Sequence, residues 1–261
     1  MKKTLKFDIQ PFKLYDNIYF VGSSRVSVHI IDTKDGLVMI DTGYPDMYEQ
    51  ILDSMNELGL NPKDICAIFH SHGHIDHFGC TQKFKELSGA KTYISTIDND
   101  IVNGKLDLSW AKELGYDRLP PFDCDVLVED GEKYSFGDVV VRCILTPGHT
   151  DGVLSFFIDI RTEEKNFVAA MYGGAGFNTL TTEFLNRYNL SFECRDIFRE
   201  SLRKVIDEPV DVFLGNHPEH NDTKGKLQRI LLGEDIVDTG EWKRFLIGVG
   251  KGLDNEIANV F

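Results

Sequence analysis

Apolar residues alternate with polar ones, or run in short blocks, through the first part of the chain, which predicts strands over 17–21, 26–32 and 37–41 with Lys34-Asp35-Gly36 as a hairpin turn. From 46 to 58 the period changes: Met47, Ile51, Met55 and Leu58 recur at helical spacing, and Gly59 stops the helix. A buried strand at 65–69 runs straight into a cluster of histidines, followed by a short helix near 82–87 and a strand near 91–94. Residues 98–123, with Trp110 and the pair Pro120-Pro121, carry neither period and read as an inserted loop. Strands resume at 126–129, 133–136, 139–145, 153–160 and 166–171; helical spacing returns at 183–190 and 192–206, before a strand at 210–214 and a helix at 223–232. Strands and helices thus recur in two comparable halves. That order predicts an α/β fold of two sheets packed face to face with helices outside, a four-layer αββα sandwich with a site at one edge. No repeat or linker divides the chain, so residues 1–261 read as a single domain.

Composition narrows the function. At 261 residues and 42% hydrophobic, the chain has the profile of a globular protein with a sizeable core. Its 28 Lys and Arg face 42 Asp and Glu, a formal net charge of −14, so the average surface repels a phosphate backbone and no nucleic-acid partner is expected. No run is long enough for a membrane span, and Lys6, Asp8, Gln10 and Lys13 interrupt the N-terminal stretch before a signal-peptide core can form. Cys66, Cys80, Cys124, Cys143 and Cys194 are odd in number and lack CxxC spacing, which argues against a disulfide framework and a thiolate zinc knuckle. The reading is a reduced, cytoplasmic protein.

The chemistry sits in loops after the predicted strands. Six of the eight histidines fall there: His72, His74 and His77 beside Asp76, then His149, then His217 with His220 close behind. Imidazole and carboxylate groups on rigid strand ends are what a Zn2+-type ion needs, with ligand distances of about 2.0–2.2 Å. His72 and His74, two apart, can point the same way in an extended loop, while the adjacent Asp76 and His77 diverge toward a second point, so two neighbouring ions are expected. A polar loop or helix cap would need only Asp76. His149 is either a ligand or a turn residue after Pro147-Gly148, and one of His217 and His220 is either a ligand or exposed.

Asp41-Thr42-Gly43, Ser71-His72-Gly73-His74-Ile75-Asp76-His77 and Thr146-Pro147-Gly148-His149-Thr150 resemble, in order and spacing, the successive motifs of the metallo-β-lactamase superfamily. The resemblance runs from about Tyr19 to about Leu231 and implies that family's sandwich, two mixed sheets flanked by helices. It implies two Zn2+ per chain, the first held by His72, His74 and His149, the second by Asp76, His77 and His217, with Asp41 either orienting a ligand or closing an ordinary turn. No Asp lies between Ile160 and Arg195, so the bridging Asp of glyoxalase II, lactonase and phosphodiesterase members is missing; this and His217 in His-Pro are similar to the third subclass of metallo-β-lactamases. Flavodiiron oxidoreductases carry a carboxylate where His74 stands, so redox iron chemistry is disfavoured. The substrate-anchoring serines of that subclass have no counterpart from Phe156 to Leu190, nor has the anchoring lysine of the other subclasses from Asn166 to Arg203.

The resemblance therefore implies a zinc-dependent hydrolase that uses a metal-bound hydroxide on a small-molecule amide, lactam or ester, with Asp76 as the catalytic residue orienting the nucleophile. A thioester or lactone hydrolase is the alternative within enzymes, and a non-catalytic metal-binding protein the alternative outside them. Metal affinity is expected to fall below a pH of about 6.5, where an ordinary histidine protonates. Trp110, Tyr116 and Gly173 to Phe177 are expected to wall the pocket, and Phe184, Tyr188, Phe192 and Phe198 to be helix core. His29, His70 and Tyr172 read as buried structural residues, and Cys80 as packing.

Overall fold

The computed structural model describes residues 7–161 and 165–258. Seven strands, β1 (Phe12–Tyr15), β2 (Ile18–Phe20), β3 (His29–Thr33), β4 (Gly36–Ile40), β5 (Ile65–Phe69), β6 (Lys91–Ser95) and β7 (Val126–Val128), form one sheet in sequence order. Its first four strands pair antiparallel and β4 to β7 pair parallel. The second sheet holds β8 (Lys133–Phe136), β9 (Val139–Leu145), β10 (Leu154–Arg161), β11 (Asn166–Met171) and β12 (Val212–Leu214) in the order β12-β11-β10-β9-β8, with only β11 and β12 parallel.

The side-chain alternation of these strands makes the layers. In β10, Leu154, Phe156, Ile158 and Ile160 face the other sheet while Phe157 faces outward; in β4, Val38 and Ile40 face inward and Leu37 and Met39 outward. Both faces of each sheet are therefore apolar, and each needs a cover. The outer face of the first sheet packs on α1 (Tyr48–Glu57) and the helix that follows the histidine cluster, through Ile51, Met55 and Phe84. The outer face of the second is covered through Phe198, Leu202, Trp242 and Leu246. In chain order the helices after α1 are α2 (Ile75–Phe78), α3 (Thr81–Ser88), α4 (Asn99–Val102), α5 (Thr182–Tyr188), α6 (Cys194–Val205), α7 (Thr223–Leu231) and α8 (Glu241–Ala258). The result is the expected α/β sandwich of two mixed sheets flanked by helices.

Several boundaries differ from the sequence reading. The 98–123 segment is not wholly irregular, because α4 opens it. β3 starts at His29 and β12 at Val212, so the segments before them are connections rather than strand. Phe192 is 44% exposed and lies outside the helix core expected to hold it, whereas Phe198 is fully buried. β1 and α8 carry no expectation from the sequence. In α8, Gly248, Gly250 and Gly252 dilute the helical signal, and burial of Trp242, Leu246, Val249 and Leu253 against the second sheet supplies what propensity lacks. Among the described residues no helix is long and apolar enough to cross a membrane.

Candidate metal centre

The polar residues singled out in the sequence converge at one edge of the sandwich, on the loops after β5, β9 and β12. The β5 loop carries His72 and then His74, which sits in extended backbone as the cap of α2, so Asp76 and His77 lie one helical step away. His149 follows Gly148, whose φ of 137° and whose approach to Phe198, within 2.5 Å of a built Cβ, admit no side chain. The tightness of this turn fixes where His149 projects.

Two sets of side chains result: His72, His74 and His149, all buried, and Asp76, His77 and His217. Within each set the candidate ligand atoms lie within 4.8 Å of one another. His74 Nδ1 is 3.0 Å from both His72 Nε2 and His149 Nε2. In the second set Asp76 Oδ2 is 3.5 Å from His77 Nε2 and 3.7 Å from His217 Nε2. The sets adjoin, with the His72 and His77 rings 4.2 Å apart.

Hydrogen bonds on the far side of the rings dictate which nitrogen carries the proton. His149 Nδ1 donates to Gly176 O at 2.9 Å, His217 Nδ1 to Arg25 O at 3.0 Å and His77 Nδ1 to Asp41 Oδ2 at 2.7 Å. Carbonyl and carboxylate oxygens only accept, so in the tautomer these bonds select each Nε2 is a bare lone pair available to a metal. Ser71 Oγ donates to Asp41 and so accepts from His72 Nδ1, which leaves His72 Nε2 bare as well. One proton on His74 Nδ1 can bridge only one of its two facing nitrogens. Three imidazole nitrogens aimed at a common point, and a buried His77 Nε2 with no hydrogen-bond partner, fit a cation better than they fit one another.

Protonation follows the same geometry. Burial, reinforced by neighbouring imidazoles, holds His72 and His74 well below the usual histidine range, and burial brings His149 down to about 4. Protons therefore compete for the first set at a lower pH than the value of about 6.5 expected of ordinary histidines. Burial opposes a charge on His77 too, but Asp76 and Asp41 outweigh it and its pKa is raised.

Asp41, left open as orienting residue or turn, is a buried brace in left-handed backbone at φ 58°. Its Oδ1 accepts from Ser71 N and its Oδ2 from Ser71 Oγ and His77 Nδ1, tying the β5 loop to α2. Asp41→Ala is expected to weaken metal binding about 10–100-fold, measured by competition with a chromogenic chelator; unchanged affinity would reduce Asp41 to a turn residue.

A second brace, Asp98, was hidden in the segment read as an insertion. Its Oδ2 accepts from Gly73 N at 2.8 Å and Thr150 Oγ1 at 2.6 Å, and its Oδ1 from Gly152 N at 2.9 Å. It thus joins the backbone between His72 and His74 to the loop carrying His149, and burial pushes its carboxyl up to about 6. No sequence signal separates this Asp from the many at the surface.

A cavity of about 220 Å³ opens over both sets, lined also by Tyr44, Trp110, Ala175, Gly176, Asn178 and Asn216. Trp110 thus walls it as expected, and of the stretch Gly173 to Phe177 only Ala175 and Gly176 do. Tyr116 does not line it but stacks on Tyr44 with ring centroids 5.6 Å apart. His220 lines the cavity outside both sets, its ring 5.4 Å from that of His217. Tyr172 packs against Phe198 and Trp242 in the helix-covered core, away from the cavity. His70 is spent on Tyr93 O and Thr81 Oγ1, His29 bonds Gly215 O, and Cys80 bonds Tyr44 O.

Comparison with known proteins agrees with this fold. The family model of the metallo-beta-lactamase superfamily matches residues 21–162. An uncharacterized protein of Aquifex aeolicus is 30% identical over 204 residues, covering 76% of this chain and 88% of its own length. The probable polyketide biosynthesis zinc-dependent hydrolase BaeB of Bacillus velezensis is 25% identical over 155 residues, covering 58% of this chain and 57% of its own. BJP-1, a subclass B3 metallo-beta-lactamase of Bradyrhizobium japonicum, superposes with a TM-score of 0.86 at 24% identity, covering 98% of this chain and 97% of its own. By its motifs, its fold and these relatives, the chain belongs to the metallo-beta-lactamase superfamily.

Proposed function

We propose that this protein is a zinc-dependent hydrolase of small-molecule esters, amides or lactams. The observation that carries the reading is the pair of adjoining ligand sets in which the rings of His72, His77, His149 and His217 turn their far nitrogens outward to carbonyl, carboxylate or hydroxyl oxygens. His72, His74 and His149 would hold one ion, and Asp76, His77 and His217 the other. Two such ions would supply Lewis acidity there, enough to lower the pKa of water toward neutrality and polarise a carbonyl.

The chain's own residues supply orientation and proton handling. Asp76 belongs to the second set and also lines the cavity, so its carboxylate can align an attacking water and accept its proton. Asp41 and Asp98 hold the loops so that the ligands need not reorganise during turnover. Trp110 and Tyr44 exclude bulk water from the cavity walls.

The lining also bears on the substrate. Among the described residues no Lys, Arg or Ser lines this cavity, and Arg25, stacked behind Tyr44, is engaged by Asp46. Apart from the ions proposed to bind the two sets, a substrate carboxylate finds no cationic side chain here. This favours an uncharged ester, thioester or lactone over a penicillin-like anion.

The test is metal content by elemental analysis of protein purified without added metal, paired with turnover of a chromogenic cephalosporin, a lactone and a phenyl ester. Two zinc equivalents with turnover of the uncharged substrates are expected. Failure to bind zinc even when it is supplied would sink the reading.

A further inference from the structure

A second cavity, of about 430 Å³, lies beside the first and is roughly twice its size. His74 and His149 line both. Trp110 faces the smaller cavity and Phe184 the larger, and the two rings stack at 4.8 Å with an interplanar angle of 23°, so they form a partition that stops at the two histidines. Trp110 holds its place with φ 61°, a conformation that costs a bulky residue energy and fixes the ring against its neighbours.

Two segments supply the apolar walls of the larger cavity, 97–108 with Ile101, Leu106 and Leu108, and the α5–α6 region with Leu185, Leu190 and Ile197, while the 147–151 loop closes it beside His149. Its one deep carboxylate, Asp98, is already committed to Gly73, Thr150 and Gly152. At the mouth Leu106 is 45% exposed and Ile197 39%, an apolar rim of the kind that marks a binding surface. The volume falls within the range of about 300–1,000 Å³ found for small-molecule sites. Asp151 and Glu193 are the charges beside that mouth, in a chain of net charge −14, so an anionic terminus is repelled from it.

We infer that this cavity is the acyl-chain chamber of the enzyme, and that the substrates are esters, thioesters or lactones of a neutral hydrocarbon acyl group. The inference rests on the hydrolase reading above and names its substrate class. The chain lies among Ile101, Leu108, Leu185 and Leu190, which brings the acyl carbon to the edge of His74 and His149, and the leaving group projects into the smaller cavity beside His217. Water adds its oxygen to the acyl carbon, the bond from that carbon to the leaving oxygen or sulfur breaks, one proton of the water ends on the leaving group, and the other is released to solvent as the acid ionises. The products are the free carboxylate and an alcohol or thiol.

Two measurements on the purified protein test this. In the first, kcat/KM is measured for p-nitrophenyl esters from acetate to decanoate, and is expected to rise about fourfold per added methylene until the chamber is full. In the second, binding of 1-butanol, 1-hexanol, 1-octanol and 1-decanol is measured by calorimetry, and Kd is expected to tighten with the same slope of about fourfold per methylene. Ile197→Trp, at a partly exposed helix position that tolerates a larger ring, should flatten both slopes; should it fail to fold, the slopes of the parent protein decide alone. Ester turnover that does not vary with chain length, with alkanols that do not bind, would overturn the chamber and leave the hydrolase standing. Alkanol affinity that climbs with chain length and falls in Ile197→Trp, without turnover of any ester, would uphold the chamber and overturn the hydrolase.

Discussion

Asp76→Asn is expected to lower kcat by about 10²–10⁴-fold and to leave KM near its parent value. Asparagine keeps the shape of the side chain and an oxygen to offer a metal, but it cannot accept a proton and carries no charge. If Asp76 aligns the attacking water and takes its proton, the interaction exists in the transition state and not in the bound ground state, so the loss belongs to kcat. Substrate affinity should persist because the walls of the cavity, Tyr44, Trp110 and Gly176, are untouched. The measurement is steady-state kinetics on an ester, with metal content determined on the same sample. Loss of the second ion would assign the defect to ligation instead, and an unchanged kcat would remove Asp76 from the chemistry.

The other large effect concerns the ions themselves. Stripping them with a chelator is expected to abolish turnover and to lower the thermal midpoint. A ligand present at a thousand times its Kd stabilises by about 4 kcal/mol, and about 2–4 °C per kcal/mol applies to a domain near this size, so the midpoint should fall by roughly 8–16 °C. The structural reason is local: without a cation, the lone pairs of His72, His74 and His149 face one another at 3.0 Å, buried from water. The sign of the pH dependence follows from the depressed pKa values. As pH falls below about 6.5 the unfolded chain protonates these histidines, while the folded chain refuses the proton on His149 until about 4. Their contribution to the stability of the stripped protein is therefore present above 6.5 and lost as pH falls through about 4. Thermal melts of chelated and reloaded protein across that range check both statements; a midpoint that ignores chelation would show that the sets do not hold metal in solution.

Much of this was legible in the chain because its signals are local. Strand alternation such as Leu154, Phe156, Ile158 and Ile160, and the crowding of His72, His74, Asp76 and His77 into one loop, need no knowledge of the rest of the protein. The layers follow from the same fact, since strands apolar on both faces must be covered on both faces. Where local signals were weak the reading missed elements: α8 has three glycines between 248 and 252, and β1 is four residues long.

What the tertiary structure alone decided is how groups distant in sequence meet. The choice between His217 and His220 depends on Arg25 O, which takes the His217 ring proton from 192 residues away and leaves its Nε2 turned toward Asp76. Asp98 becomes a brace only because Gly73 and Thr150, from two different strand ends, arrive at the same carboxylate. The larger cavity exists only because residues 97–108 and the α5–α6 region close on His74 and His149. The sequence by itself determined which side chains are present and the local period that puts them on strand ends and helices. The orientation of each imidazole, the braces that hold it and the space left for a substrate were decided by the fold, because each is set by contacts between segments that are far apart along the chain.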